Sequence, residues 1–483
     1  MTAGAPPLWT ATEVASATGG EAVGAWQASG VSIDSRTLAE GDLFVALKGP
    51  NFDGHDYVLD AARVGACASV VSDTSKLPED LPRVVVHDSF VALERLGRHA
   101  RERSNARVCC VTGSVGKTGT KEALARALGA FGKTHASSGN LNNQWGVPLS
   151  LARMPADAAY GVFELGMNHP GELGPLSRLA RPHVAVITTV AAAHLEFFDS
   201  VAAIADAKAE IFEGMGADGT AVLNRDNAYF ALLATSATDH GVGRVIGFGA
   251  HGEADVRLVD LALDDGEARV RASVAGRMVG YSLRAVGRHW AFNSLAVLAA
   301  AHALDADVAR AAAALADFEP PKGRGRLFRI AMKGGELDLI DESYNASPAA
   351  TRAALAVLAD IRTGGSEGVE GRRIAVLGDM LELGPGSDRL HAALAHHILA
   401  AGVDIVFCVG RHMGALYAAL PEDLRGSHAL RTEDLVGDVL SAVKPGDVVL
   451  IKGSLGTRMA PMVEALKALN GSTARGRPNQ SAG

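Results

Sequence analysis

The apolar run Arg107-Val108-Cys109-Cys110-Val111 leads straight into Thr112-Gly113-Ser114-Val115-Gly116-Lys117-Thr118-Gly119-Thr120 and then into KEALARALGAF. A short unbroken apolar run predicts a buried strand, and the apolar spacing that follows Thr120 predicts a helix. A strand that turns through glycines into a helix opens a βαβ unit, which constrains the surrounding chain to a layered α/β fold with a parallel sheet. The same turn constrains the chemistry. Glycines let the backbone curl until its N–H groups and the helix N-terminus face an anion, Lys117 adds a positive charge, and the Thr118 hydroxyl can ligate Mg²⁺. Gly113, Ser114, Val115, Gly116, Lys117, Thr118 and Gly119 are therefore the expected cradle for ATP or GTP phosphates. The loop departs from the usual G-x-x-x-x-G-K-[ST] because Val111 stands where the first glycine would be. On the motif alone, an ordinary glycine-rich turn capping a helix remains the alternative.

The 483 residues make about three domains at roughly 150 residues each. Lys and Arg total 46 against 54 Asp and Glu, a net charge of -8. Without a global basic field, an anionic ligand has to be held by local groups, and no nucleic acid partner is expected. Trp290 to Leu304, the longest uncharged stretch of the Ala-rich region, is shorter than the ~20 apolar residues of a spanning helix, so no membrane insertion is expected. MTAGAPPLWT has neither the basic start nor the apolar centre of a secretory signal, which points to a cytoplasmic protein. Cys67, Cys109, Cys110 and Cys408 form no C-x-x-C pair, as suits a reducing compartment, and Cys109-Cys110 reads as strand packing.

LFVAL (43–47) and ASVVS (68–72), bounded by Gly and Asp, read as a small α/β unit that ends near Lys76-Leu77-Pro78-Glu79-Asp80-Leu81-Pro82. A first domain is expected over 1–86. From 87 to 321, runs such as GVFELG (161–166) and HVAVITTV (183–190) alternate with helical stretches, which predicts a doubly wound parallel sheet. The Pro- and Gly-rich segment Phe318–Gly325 reads as an interdomain hinge. After it LDLIDE, RRIAVLGD, VDIVFCVG and DVVLIKGS predict a third, Rossmann-like α/β domain over 322–470. The tail 471–483 has little to bury and is expected to be disordered.

Glu164 ends the run Gly161-Val162-Phe163, and His194 with Glu196 follows the run that ends at Val190. Both positions lie where parallel strands give way to loops, the place where open α/β sheets bind ligands. A carboxylate and an imidazole reaching the metal-phosphate centre would suit a second Mg²⁺ beside the one at Thr118. A hydrogen-bonded structural role for His194 is the alternative. Lys208, in the helical stretch Ala205–Phe212, reads from the residues alone as an exposed lysine paired with a carboxylate.

Eleven segments then occur in one order: DSR with GDLFVALKGPNFDGHDYVLDAARVGA, GSVGKTGTKE, NLNNQWGVPLSL, ELGMNHPGEL, AHLEFF, AKAEIF, GRHWAFNSLA, GRGRL, DESYNASPAA, GDMLELG and IKGSLGTRM. In these the chain resembles the Mur ligases, from about residue 30 to 465. That resemblance implies a monomeric, three-domain, ATP-dependent amide ligase of peptidoglycan precursor synthesis that uses two Mg²⁺ ions. It implies that the terminal carboxylate of a UDP-linked muramoyl peptide is phosphorylated and that an incoming amine attacks the acyl phosphate. Glu164 and His194 resemble the family's metal-site residues. Lys208 resembles the lysine that is carbamylated, which reverses the reading made from the residues alone. Asn293 resembles the residue that meets adenine, and Arg326 the arginine that reaches the ATP phosphates. Glu342, Tyr344 and Asn345 resemble the nucleoside-contacting segment, and Asp34, Ser35 and Arg36 part of the uridine-diphosphate pocket.

Within the family, GDMLELG and DESYNAS resemble the ligases that join D-alanyl-D-alanine to UDP-muramoyl tripeptide, which makes those two small molecules the expected substrates. Relatives that add diaminopimelate as the third residue carry Asp-Asn-Pro-Arg and Lys-Gly-His-Glu, whereas here no such run occurs and Lys452-Gly453 is followed by Ser454. Folylpolyglutamate synthetase shares the ATP logic but leaves a first domain with DSR and DGHDY unexplained. A nucleotide-driven switch would need the phosphate loop without Glu164, His194, Lys208 and Arg326. Three positions depart from the family's habit: Glu342 replaces Asp, Gly119 replaces a hydroxyl residue, and Trp290 replaces Asn.

Overall fold

The computed structural model describes residues 6–193, 195–264, 266–364 and 370–470. The tail 471–483 therefore lies outside the described residues. Among those described, three α/β units follow one another, and no helix is long and apolar enough to cross a membrane.

The first unit is built on a five-stranded sheet in the order 21–23, 83–85, 68–71, 42–45, 30–32, parallel except for its first strand. Asp88 starts the next helix, Ser89–Arg103, by accepting the N–H groups of Phe90 and Val91. This helix follows the expected boundary at 86/87, yet its Leu93, Leu96 and Ala100 pack with Trp9, Val14 and Val70 in the core of the first unit. It also lies along the middle-unit helix Gly146–Ala152. The Trp9 indole N–H donates to the Ala152 carbonyl at 2.8 Å, under the Arg103 guanidinium. The first two units thus share a packed seam.

The middle unit holds a nine-stranded sheet in the order 277–283, 267–274, 256–264, 244–249, 220–224, 184–187, 107–112, 160–164, 134–136. Strands from 134–136 to 256–264 run parallel, as the alternation predicts, but the last three form antiparallel pairs. This ribbon departs from the all-parallel expectation for a physical reason. Along Glu267–Val274 every second residue is buried, the pattern of a ladder with one wet face. Ala275 and Gly276 both take positive φ (46° and 82°), which gives the tight turn that twisted hairpins favour.

The strand Arg107–Thr112 lies between Tyr160–Glu164 and Val184–Ile187. The chain builds one side of the sheet and then the other from this strand, so the order reverses here and a crevice opens at the carboxyl ends. The glycine loop, Glu164 and the segment after Ile187 all emerge into it. Across this sheet lies the helix Arg288–Ala303, buried from Ser294 through Ala301. Its small side chains let it press against the helix Lys117–Gly129, as befits a helix that is apolar nearly all round.

The third unit has a six-stranded sheet in the order 326–332, 335–342, 448–452, 373–378, 405–409, 425–429, parallel after its first pair. Its central strands end side by side at Glu342 and Lys452, which are in register. All four cysteines are free, and Cys109 and Cys110 are fully buried in the middle unit.

Candidate active site

Middle and third units face each other across a cavity of about 370 Å³. The glycine loop from Ser114 to Gly119 forms one wall, with Glu164 and Asn293, while Glu342, Tyr344 and Asn345 line the side facing it. Gly116 has φ of 89°, and a Cβ there would fall 2.8 Å from Asn293 Oδ1, so only glycine permits both the curl and the approach of Asn293. The loop is pinned to the segment after Ile187. Ser114 N–H donates to the Thr189 carbonyl at 2.8 Å, Ser114 Oγ to Ala191 O at 2.9 Å, and Thr188 Oγ1 to Val115 O at 2.6 Å. Lys117 Nζ folds back onto the Gly113 carbonyl at 2.8 Å. Burial lowers its pKa, against the opposing pull of the Glu164 carboxylate.

Glu164 is buried at 2% exposure, and each of its oxygens is placed. Oε2 accepts the Thr118 hydroxyl at 2.7 Å and Oε1 accepts Asn142 Nδ2 at 2.8 Å. Hydroxyl and carboxylate are hard oxygen donors of the kind Mg²⁺ takes when substrate phosphates complete its shell. Among the described residues no group of three His, Cys, Asp or Glu side chains could hold a metal by itself. The donor set therefore fits Mg²⁺ as the companion of a phosphate. His194 lies outside the described residues.

Lys208 overturns its reading as an exposed, paired lysine. It sits in the last turn of Val201–Ala209 at 2% exposure, with no carboxylate at ion-pair distance among the described residues. Burial pushes its amine well below the ordinary lysine value, and Lys117 adds repulsion. Burial thus disfavours the charged form of this amine.

At the hinge, Arg326 does not line the cavity. It opens the strand Arg326–Met332 on the same face as Phe328, lies over that ring, and pairs with Glu319 at 2.7 Å. Arg324 lines the cavity instead, with its guanidinium over the Tyr344 ring. Lys452, absent from the residues singled out in the sequence, is 2% exposed and donates to Glu342 Oε2 at 3.0 Å and to the Asn345 carbonyl at 3.1 Å. A lysine closing the apolar run VVLI was the available signal for it, and the repeated Asn of NLNN was the signal for Asn142. Asp34, Ser35 and Arg36 are not brought to this cavity. They follow the strand Gly30–Ser32 of the first unit, where Arg36 forks onto Asp34 at 2.8 and 2.7 Å and holds that carboxyl below its usual range.

The three departures from the family's habit prove to be neighbours. A Cβ on Gly119 would lie 2.6 Å from Cη2 of Trp290, so the missing side chain makes room for the indole. A Cβ on Gly325 would lie 3.3 Å from Trp290 Nε1 and 3.0 Å from Glu342 Oε1, which places the third departure at the far edge of the same ring. Trp290 also packs at 5.3 Å on Phe318, the first residue of the hinge.

Two outcomes follow from these contacts. Gly119→Ser alone is expected to cost about 1–3 kcal/mol of stability, and far less in a Trp290→Asn background. Urea unfolding of the four proteins checks the coupling, and strictly additive effects would rule out the contact. At neutral pH, folding must either bury the Lys208 charge or strip its proton, because the folded pKa lies below the unfolded one. Removing the amine in Lys208→Met should therefore stabilise the ligand-free protein by about 1–3 kcal/mol, read as a raised thermal midpoint in bicarbonate-free buffer.

Domain models match in series: the Mur ligase family catalytic domain over residues 27–103, the Mur ligase middle domain over 111–301, and the Mur ligase glutamate ligase domain over 325–455. The UDP-N-acetylmuramoyl-tripeptide–D-alanyl-D-alanine ligase of Rickettsia prowazekii (strain Madrid E) is 33% identical over 457 residues, covering 95% of this chain and 99% of its own. A crystal structure of MurF from Acinetobacter baumannii superposes with a TM-score of 0.82 at 28% identity, over 95% of this chain and 98% of that one. MurF ligase from Thermotoga maritima in complex with ADP does so with a TM-score of 0.76 at 28% identity, over 92% and 98%. With the domain models in order and a relative matched along nearly its whole length, this chain belongs to the Mur ligase family.

Proposed function

We propose that this chain joins D-alanyl-D-alanine to UDP-N-acetylmuramoyl tripeptide at the expense of ATP, giving the UDP-muramoyl pentapeptide, ADP and phosphate. One observation carries the reading: the phosphate cradle of the middle unit and loops of the third unit line a single cavity, so nucleotide and a second substrate can meet in it. The relatives that carry this activity in their names are matched along almost the full chain. The reaction belongs to the cytoplasmic stage of peptidoglycan precursor synthesis, and the enzyme acts as a monomer.

In this reading Lys117 turns from the Gly113 carbonyl to the transferring phosphate, and the loop N–H groups hold the remaining phosphate oxygens. Phosphoryl transfer asks little covalent chemistry of the protein, so position and charge neutralisation carry the rate. Thr118 and Glu164 would hold Mg²⁺, which supplies neutralising charge at the phosphates. Asn142 keeps the Glu164 carboxylate oriented. Asn293 stands for the adenine, Glu342, Tyr344 and Asn345 for the nucleoside, and Arg324 faces the cavity from the hinge that Arg326 only braces. Transfer to the terminal carboxylate of the muramoyl tripeptide gives an acyl phosphate and ADP, the dipeptide amine attacks the acyl carbonyl, and phosphate leaves as the amide forms and the amine loses its proton. Closure of the two units excludes water from that intermediate. Asp34, Ser35 and Arg36 take the uridine-diphosphate end.

Lys208 fits carbamylation because burial lowers the pKa of its amine and so favours the neutral form. A neutral amine adds CO₂ through a new N–C bond, releases one proton, and becomes an oxygen donor suited to Mg²⁺. His194 keeps the metal-site role that the family resemblance implies.

Purified protein with ATP, Mg²⁺ and UDP-muramoyl tripeptide should release phosphate only when D-alanyl-D-alanine is added, with the pentapeptide seen by mass. Turnover of UDP-muramoyl dipeptide with a free diamino acid instead would refute this substrate assignment. Lys208→Ala should lose at least about 100-fold in kcat, the scale of a lost transition-state charge contact, and short-chain carboxylates should restore part of it. Full activity without them would refute the carbamate.

A further inference from the structure

The helix Lys117–Gly129 carries a second lysine that has no part in the assignment above. Lys121, one turn beyond Lys117, is fully buried, and its Nζ donates to the Ser137 carbonyl and to a carboxylate oxygen of Glu122. Ser137 follows the edge strand Thr134–Ala136, which pairs in parallel with residues 160–162. The Ser137 N–H continues that ladder by donating to the Val162 carbonyl at 3.0 Å. In a regular parallel ladder of this register the next bond would run from the Glu164 N–H to the Ser137 carbonyl. That bond is replaced: Lys121 takes the carbonyl, and the Glu164 N–H goes instead to Ser137 Oγ at 3.1 Å. A charged donor makes a hydrogen bond roughly twice as strong as a neutral one, so the ammonium outcompetes the amide for that oxygen. The edge strand ends there, and the chain leaves the sheet until Asn142 returns to it. Asn142 Nδ2 holds Glu164 Oε1 at 2.8 Å, and the Asn142 carbonyl accepts the Gly166 N–H at 2.8 Å. Asn140 and Asn142 thereby line the cavity. One helix thus reaches Glu164 twice, through Thr118 at the carboxylate and through Lys121 and Ser137 at the backbone.

We propose that Lys121 and Ser137 are positioning residues for the Glu164 carboxylate, with Lys121 holding the sheet edge open so that Asn142 can enter beside it. The proposal rests on the reading of Glu164 as a Mg²⁺ ligand and adds to it the groups that set its place. Neither residue lines the cavity; both act through the Glu164 backbone, as the outer partners of metal ligands do. Without the Lys121 amine, the Ser137 carbonyl is free to accept the Glu164 N–H. The edge strand then runs on by a residue, and the segment that carries Asn142 is drawn away from the carboxylate.

Full-length Lys121→Met, Ser137→Ala and the double variant are titrated with ADP by calorimetry, once in excess Mg²⁺ and once in EDTA, and assayed for kcat. In each single variant the Kd for ADP in Mg²⁺ should rise about tenfold, and kcat should fall about 10- to 100-fold, the range for losing an outer partner of a metal ligand. The Kd in EDTA should stay within about twofold, as for groups that share no partner with the nucleotide. The double variant should be no worse than Lys121→Met, because the freed carbonyl then serves the Glu164 N–H and the hydroxyl becomes redundant. That departure from additivity is the signature of the exchanged hydrogen bonds. Equal losses with and without Mg²⁺ would mark a packing role for the two residues and overturn the proposal, as would strictly additive effects. An unchanged Kd in Mg²⁺ for Ser137→Ala overturns it as well, and that variant, which removes only a hydroxyl, keeps the test open where Lys121→Met does not fold. If Mg²⁺ does not tighten ADP binding to the unsubstituted protein, the metal reading falls and the proposal with it. Tightening that persists undiminished in the variants removes the proposal alone.

Discussion

The close approach of the helices Lys117–Gly129 and Arg288–Ala303 is the contact from which the rest of the site is arranged. Alanines along the second helix bring its axis near the first, and two glycines complete the fit, Gly116 beneath Asn293 and Gly119 beneath Trp290. The glycine loop is thus shaped from below by a helix that arrives about 170 residues later in the chain. From this seat Trp290 extends to the hinge through Phe318 and to the third unit through Gly325 and Glu342. A change at residue 119 is therefore felt at the boundary of another domain, through contacts that pack too tightly to absorb it locally.

What the sequence made legible was whatever is written in consecutive residues. The strand, glycine loop and helix around Lys117 are one such passage, and Glu164 closing the run Gly161-Val162-Phe163 is another. The parts that stayed hidden depend on direction or depth. Arg324 and Arg326 are two residues apart with the same chemistry, and only the strand that begins at Arg326 decides which of them turns to the cavity. Lys208 lies in an alanine-rich helix whose periodicity does not say which face is covered, so its burial could be known only once the fold had closed. The ribbon after residue 256 was concealed by counting apolar runs when its signal lay in alternation.

The electrostatics of the site are organised as a set of deferred contacts. Lys117 rests on a carbonyl, Lys452 on Glu342, and Lys208 on nothing charged among the described residues. Each holds a position that an anion or a modification would improve. Such a site is less stable without ligands than it could be, the usual relation between a working active site and the chain that carries it.

The helix Ser89–Arg103 has a consequence for what the enzyme can accept. Its apolar face completes the core of the first unit while its flank lies along the middle unit, and Trp9 bolts the seam. The first two units therefore pack as one piece, and the segment Phe318–Gly325 joins the third unit to them. With Asp34–Arg36 assigned to the nucleotide end of the muramoyl substrate, the separation between that anchor and the phosphate cradle becomes a fixed gauge. On that assignment a peptide of another length would bring its carboxylate to a different place relative to Lys117, so the frame itself would read chain length before any side chain is read.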